Sequence, residues 1–243
     1  MGPFVNITPI VLAGGKGTRL RSVVADRPKP LALVAGKPFV TYLLEQLVSV
    51  GFEKVVIASG YLGEQFDSRF GGNYKNLAIE YSQEPFSLGT AGALRYALPH
   101  VATSRLLVLN GDSFCDIDLA ALVTYHEQVH ACITLTAVQV PDSGRYGNIR
   151  MHPDGKVAAF VEKGAQAGPG YINAGVYLLD RSIIETLESG VACSLEHEVL
   201  PTFCNDAMYA FKTAGAFIDI GIPEDYERAQ QLFTHQRGGT ENP

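Results

Sequence analysis

The chain has 243 residues, enough for one large domain or two small ones, and 47% hydrophobic against 18% charged residues supplies ample material for a buried core. A formal net charge of −6 argues against nonspecific nucleic-acid binding, because there is no general basic surface to neutralise phosphates. A small anion needs only a local basic pocket, so that class stays open. The opening MGPFVNITPIVLAGG lacks the charged start of a signal peptide, and no apolar run approaches the ~20 residues of a membrane span. A cytoplasmic protein with no membrane partner is expected.

Short β-rich runs alternate with amphipathic helical stretches through the first half, which predicts βαβ units and a mainly parallel sheet. A strand over 10–13 runs straight into a glycine-rich basic turn. Tyr42, Leu43, Leu44, Leu47 and Val48 form the apolar face of a helix, with Pro38 near its start and Gly51 past its end. Strands follow over 54–58, 77–81 and 105–109, with a short helix over 62–70 and another over 89–98, stopped by Pro99. The strand over 105–109 ends in Asn110-Gly111-Asp112, which puts a carboxylate at the sheet edge where open α/β sheets bind ligands. A helix over 119–129, capped by Asp118, leads to a long strand over 131–140. Strands over 147–151 and 157–162 flank His152-Pro153-Asp154-Gly155 as a hairpin. Strands over 172–179, 208–211 and 217–220 complete the set, with helices over 181–187 and 223–233 and a polar tail from His235. The expected organisation is a single domain over 1–243. About 1–130 forms a nucleotide-binding half, about 131–222 a substrate-binding half, and 223–243 a closing helix and tail.

Gly14-Gly15-Lys16-Gly17-Thr18-Arg19-Leu20 directly after a buried strand is an anion cradle: backbone N–H groups, a Lys and an Arg with no bulky side chains in the way. It is not the dinucleotide fingerprint, since Leu20 stands at the third glycine position, and Gly36-Lys37 runs into Pro38 rather than completing a P-loop. Pro28 and Pro30 hold Lys29 in an extended segment that suits a cation aimed at a fixed phosphate. Cys115, Cys132, Cys193 and Cys204 have no C-x-x-C spacing and read as reduced thiols. Among the histidines only His126 and His130 have metal-site spacing, and both read as solvated on a helix. No Ser–His–Asp or Cys–His arrangement points to a covalent intermediate.

LAGGKGTRL, RPKPL, GKPFV, LGTAGAL, LNGDS, VEKG, YINAGVYLL and FIDIGIPEDY, in this order, resemble the sugar-1-phosphate nucleotidylyltransferase family from about Thr8 to Leu232. The short chain without a C-terminal β-helix, the segment Arg145-Tyr146-Gly147 and the IDIGIPEDY ending look most like D-glycero-α-D-manno-heptose 1-phosphate guanylyltransferases. The resemblance implies a three-layer α/β/α Rossmann-like nucleotidyltransferase fold with a mixed, mostly parallel central sheet. It implies catalytic roles for Arg19, Lys29 and Asp112, and Mg²⁺ held by Asp112 and Asp219. Leu12, Ala13, Gly14, Gly15, Gly17, Thr18, Arg19, Lys29, Glu84, Gly89 and Thr90 would bind the nucleotide. Gly147, Glu162, Lys163 and Asn173 would bind the sugar phosphate.

The implied reaction is Mg-dependent transfer of GMP from GTP to D-glycero-α-D-manno-heptose 1-phosphate, giving GDP-heptose and pyrophosphate for a surface polysaccharide. Mannose 1-phosphate guanylyl transfer and uridylyl or thymidylyl transfer to a hexose 1-phosphate are the alternatives. Glu84 could accept the guanine N1–H and N2–H₂ donors, whereas Gln83 could read a pyrimidine. A non-catalytic nucleotide-sugar sensor on the same fold would have lost part of the catalytic set, and Arg19, Lys29, Asp112, Lys163 and Asp219 are all present. The expected partners are GTP and a sugar 1-phosphate, with a homo-oligomer left open.

Overall fold

Apolar runs without a polar alternation are buried on both faces, which happens only in the interior of a covered sheet. That is where they lie in the computed structural model, which describes residues 4–15, 17–20, 23–24, 26–161 and 168–237. The first half contains β1 (Ile7–Ala13), β2 (Leu33–Val34), β3 (Lys37–Pro38), α1 (Val40–Ser49), β4 (Lys54–Ser59), α2 (Glu64–Phe70), β5 (Asn73–Tyr74) and β6 (Leu77–Gln83). After these come α3 (Gly89–Ala97), β7 (Arg105–Asn110), β8 (Ser113–Cys115) and α4 (Leu119–Gln128). The second half adds β9 (Ile133–Val140), β10 (Asn148–Met151), β11 (Val157–Val161), β12 (Gly170–Asp180), α5 (Arg181–Glu185), β13 (Met208–Thr213), β14 (Phe217–Asp219) and α6 (Pro223–Arg237).

The main sheet has the order β13-β9-β12-β7-β1-β4-β6-β5. β7, β1, β4 and β6 are mutually parallel, and β12 is antiparallel to both β7 and β9. The seam between β7 and β12 therefore joins strands of the first half to strands of the second. Alternation along each strand sends Val11, Val55, Ile57, Leu107 and Leu109 to one core with α1, α4 and α6. Ile10, Val56, Ala58, Leu106 and Val108 go to the opposite core with α3 and α5. The result is the expected three-layer α/β/α arrangement on a mixed, mostly parallel sheet.

Two features hold the ligand edge together. Fully buried Phe233 of α6 stacks on Tyr42 of α1, with ring centroids 3.7 Å apart, and meets Phe114 of β8 edge-on at 5.2 Å. β8 and β14 form a small antiparallel ribbon beside the main sheet, with Asp219 opposite Ser113. The Asp118 side chain caps α4 as expected, accepting the N–H groups of Ala120 and Ala121 at 3.0 and 2.9 Å. All four cysteines are free thiols.

The expectation fails in several places. His126 is not solvated: it is 1% exposed, because the last turn of α4 packs on β9, where its Nδ1 lies 2.8 Å from Thr134 Oγ1. α6 continues to Arg237, past the expected end at 233. A π-helical turn, Leu195–Val199, was not foreseen; Ser194 caps it by accepting the His197 N–H.

Candidate functional site

β1 and β7 run parallel with Leu12 opposite Asn110, so the chain leaves both strands at one edge of the sheet. The Gly111 N–H donates to the Leu12 carbonyl at 2.8 Å, which brings the turn carrying Asp112 against the glycine loop. Between them lies a cavity of about 270 Å³. Its walls include Leu12, Ala13, Gly14, Gly15, Gly17, Lys29, Glu84, Gly89, Thr90 and Asp112, ten of the residues predicted from sequence, together with Asn110 and Ser87. Thr18 begins a 3₁₀ turn, Thr18–Leu20. Arg19 is exposed on that turn and stands outside the cavity wall. Lys16 lies outside the described residues.

Lys29 opens a second 3₁₀ turn, Lys29–Leu31, between its two prolines. Its stem runs beneath Gly17, whose φ is +60° and where an added Cβ would lie 2.9 Å from Lys29 Cγ. Glycine is required there both by the backbone and by the lysine. The ammonium reaches Asp112, with Nζ 3.3 Å from Oδ2.

A second cavity, about 630 Å³, shares Asn110 and Asp112 with the first and is bounded by Gly147, Asn173, Tyr177, Glu196 and Asp219. Asn173 reaches it at an irregularity in β12, where the register with β9 shifts between Asn173 and Tyr177. Val161 also lines this cavity, whereas Glu162 and Lys163, the next residues in the chain, lie outside the described residues.

Asp219 is brought to Asp112 by the β8–β14 ribbon, since the Ile220 N–H donates to the Asp112 carbonyl at 2.9 Å. Burial, followed by the negative charge of Asp112, pushes the Asp219 carboxyl up to about 6, although the Gly221 N–H, 2.6 Å from Oδ1, and the Lys29 charge pull the other way. A buried carboxylate disfavoured by a facing one in this way suits a divalent cation with hard oxygen preferences, and Mg²⁺ commonly takes only one or two protein carboxylates. Among the described residues no cluster of three or more His, Cys, Asp or Glu offers a larger metal site.

Sequence reasoning missed Glu196 and Tyr177. Thr90 donates its hydroxyl to Glu196 Oε2 at 2.7 Å, and Tyr177 donates to Oε1 at 3.2 Å. Asn173 Nδ2 donates in turn to the Tyr177 hydroxyl at 2.7 Å. This chain of polar side chains runs from the wall of the first cavity to the wall of the second. The turn bearing Glu196 is closed at its start by Ser194, whose N–H donates to Glu198 Oε1 at 2.7 Å and whose Oγ accepts the His197 N–H at 3.1 Å, but neither bond marks Glu196 or its partners in the sequence. Arg145, unassigned from sequence, pairs with Asp225 Oδ2 at 2.8 Å. Asp225 is buried, and its other oxygen takes Arg228 at 2.6 Å, so the segment bearing Gly147 is tied to the start of α6.

No helix among the described residues is long and apolar enough to cross a membrane. The nucleotidyl transferase family profile matches residues 8–236. The D-glycero-alpha-D-manno-heptose 1-phosphate guanylyltransferase of Aneurinibacillus thermoaerophilus is 37% identical over 93% of this chain and 98% of its own. The mannose-1-phosphate guanylyltransferase of Mycobacterium tuberculosis is 35% identical over 91% of this chain, which spans 63% of that longer enzyme. Among solved structures, HddC from Yersinia pseudotuberculosis complexed with GMP-PN superposes with a TM-score of 0.84 at 36% identity, covering 93% of this chain and 99% of that one.

Proposed function

Since the chain belongs to the nucleotidyl transferase family, we propose that it transfers GMP from GTP to D-glycero-α-D-manno-heptose 1-phosphate, releasing pyrophosphate. The observation that carries this reading is the common wall of the two cavities. Asn110 and Asp112 face both the glycine-loop cavity and the larger one beside β12, so a donor and an acceptor can meet at Asp112.

The acceptor phosphate oxygen forms a bond to the α-phosphorus of GTP, and the bond from that phosphorus to the pyrophosphate oxygen breaks, with pyrophosphate leaving. The attacking phosphate is already ionised, so the protein need not supply a base; it must position the two substrates and neutralise charge. Lys29 sits where it can meet the triphosphate beside Asp112, and Arg19 would approach from the exposed side of the loop. A divalent cation held by Asp112 and Asp219 supplies further neutralisation of phosphate oxygens when bound. Glu84 accepts the guanine N–H donors, Gly147 and Asn173 meet the sugar, and Lys163 and Glu162 take the acceptor phosphate and sugar hydroxyls. Substrates of this kind support a cytoplasmic location.

The heptose reading is preferred because the heptose enzyme and HddC match this chain over nearly their full length. Mannose 1-phosphate is the second reading, supported by the guanylyltransferase that shares 35% identity. Pyrophosphate release should be measured for the four NTPs against heptose, mannose and glucose 1-phosphates with Mg²⁺. GTP with the heptose phosphate is expected to be fastest; a faster pairing of any other kind overturns the assignment.

A further inference from the structure

Between buried Glu84 and buried Leu88 the chain makes a short excursion, Pro85, Phe86 and Ser87, all three exposed. Both of its ends are fastened: the Glu84 N–H donates to the Ser59 carbonyl at 2.9 Å, and the Leu88 N–H donates to Glu84 Oε2 at 3.1 Å. The middle residue, Phe86, is 60% exposed. A lone exposed phenylalanine is unremarkable on a protein surface. This one shares a cavity of about 500 Å³ with the buried carboxylate of Glu84 and with a second exposed aromatic, Tyr61.

The floor of that cavity is backbone. An added Cβ at Gly14 or at Gly60 would lie 2.7 or 2.6 Å from Glu84 Oε1, so both glycines are needed for the carboxylate to lie where it does. Gly14, Glu84 and Ser87 also line the glycine-loop cavity, which makes the two spaces neighbours. The combination is an apolar ring beside a hydrogen-bond acceptor, opening from a phosphate cradle. It fits a flat heterocycle with N–H donors along one edge and a phosphate chain at its far end.

We propose that Phe86 stacks on the guanine of bound GTP while Glu84 takes the base's N–H edge, making Phe86 a determinant of nucleotide affinity. The inference rests on the GTP reading above.

Direct calorimetric titration of the full chain in Mg²⁺ buffer, with GTP and with inorganic tripolyphosphate, tests it. Base–aromatic stacking predicts that Phe86→Ala weakens GTP binding by about fivefold or more and leaves tripolyphosphate binding unchanged. The chain contains no tryptophan, so Phe86→Trp provides a single emitter at the proposed contact. Its fluorescence should be quenched by GTP and not by tripolyphosphate. A Phe86→Ala dissociation constant for GTP within about twofold of the parent overturns the stack, as does equal weakening toward both ligands. Quenching that is absent, or the same with tripolyphosphate, overturns it too. Pyrophosphate release by the parent tests the underlying function separately, and release by Phe86→Ala at saturating GTP shows that the variant is folded. An active Phe86→Ala enzyme with unchanged GTP affinity would overturn this inference alone.

Discussion

Thr90 at the start of α3 and Glu196 in the π-helical turn are joined by a 2.7 Å hydrogen bond, and the same Thr90 hydroxyl accepts the Leu195 N–H at 2.7 Å. The wall of the glycine-loop cavity is thus held by a turn that also holds Tyr177, which is fully buried, and through it Asn173. Glu196→Ala leaves the Thr90 and Tyr177 hydroxyls without their acceptor, which costs about 1–3 kcal/mol where such groups are buried. The expected result is a lower urea midpoint and a raised KM for both substrates, since Thr90 loses its acceptor and Tyr177, the partner of Asn173, loses the carboxylate that fixes its hydroxyl. Glu196→Gln keeps one carbonyl acceptor and should recover part of the loss. An alanine variant with the parent's midpoint would show that the network carries no stability.

Lys29 and Asp112 differ in what they contribute to folding and to chemistry. Their pair is partly open to solvent, with Asp112 39% exposed, and such pairs stabilise a fold by only ~0–1 kcal/mol. A preorganised charge at the point where negative charge develops is worth far more, about 10²–10³ in rate. Lys29→Met is therefore expected to lower kcat for pyrophosphate release by about 100-fold while moving the unfolding midpoint little. Lys29→Arg should rescue poorly, because a planar guanidinium does not follow the narrow path beneath Gly17. A methionine variant within about tenfold of the parent's kcat would remove Lys29 from the charge-neutralising set.

The strands were legible because the runs over 10–13 and 106–109 are apolar at consecutive positions, and only a strand covered on both faces explains that in so few residues. The pairing of Asp112 with Asp219 was legible only through the family resemblance, because the β8–β14 ribbon that brings them together is too short to show a period in the sequence. Glu196 was not legible, since its partner Thr90 is remote in sequence and a polar turn such as Leu195–Val199 has no hydrophobic period to announce it. His126 misled because a polar residue near a helix end ordinarily faces water. Its burial depends on Thr134, a hydroxyl on the next strand, and polar pairing across elements leaves no trace in periodicity.

Asp219 is held by the fold in a place that its charge opposes. Burial and the facing Asp112 both disfavour its ionised form, and a carboxyl raised in this way favours the folded state at low pH and works against it once ionised. Asp219→Asn removes that charge while retaining an oxygen for the Gly221 N–H. Without divalent cation at pH 8, this variant is expected to be more stable than the parent by ~1–3 kcal/mol. The stabilisation that Mg²⁺ confers on the parent should be lost in the same variant, because a ligand that binds only the folded state raises its melting temperature. Differential scanning fluorimetry with and without Mg²⁺ reads both effects. A variant that melts below the parent without Mg²⁺, or that keeps the full Mg²⁺ shift, would take Asp219 out of the cation site.

His126 sets an acid limit on the fold. Burial, helped by the positive charge of Arg105, lowers its pKa from 6.5 to about 4. The unfolded chain protonates this ring near pH 6.5, whereas the folded protein keeps it neutral until about pH 4. Stability from the neutral ring is therefore complete above pH 6.5 and is lost progressively as the pH falls toward 4, amounting to ~3 kcal/mol across the window. His126→Asn places an amide where Nδ1 meets Thr134 Oγ1 and carries no titrating group, so its cost in packing should not vary with pH. Subtracting the two stability profiles, each from urea titrations between pH 7 and pH 4, cancels every other group. The difference should be flat near neutrality and close toward pH 4 as the parent loses its advantage. A difference independent of pH would mean that His126 titrates alike in the folded and unfolded chain.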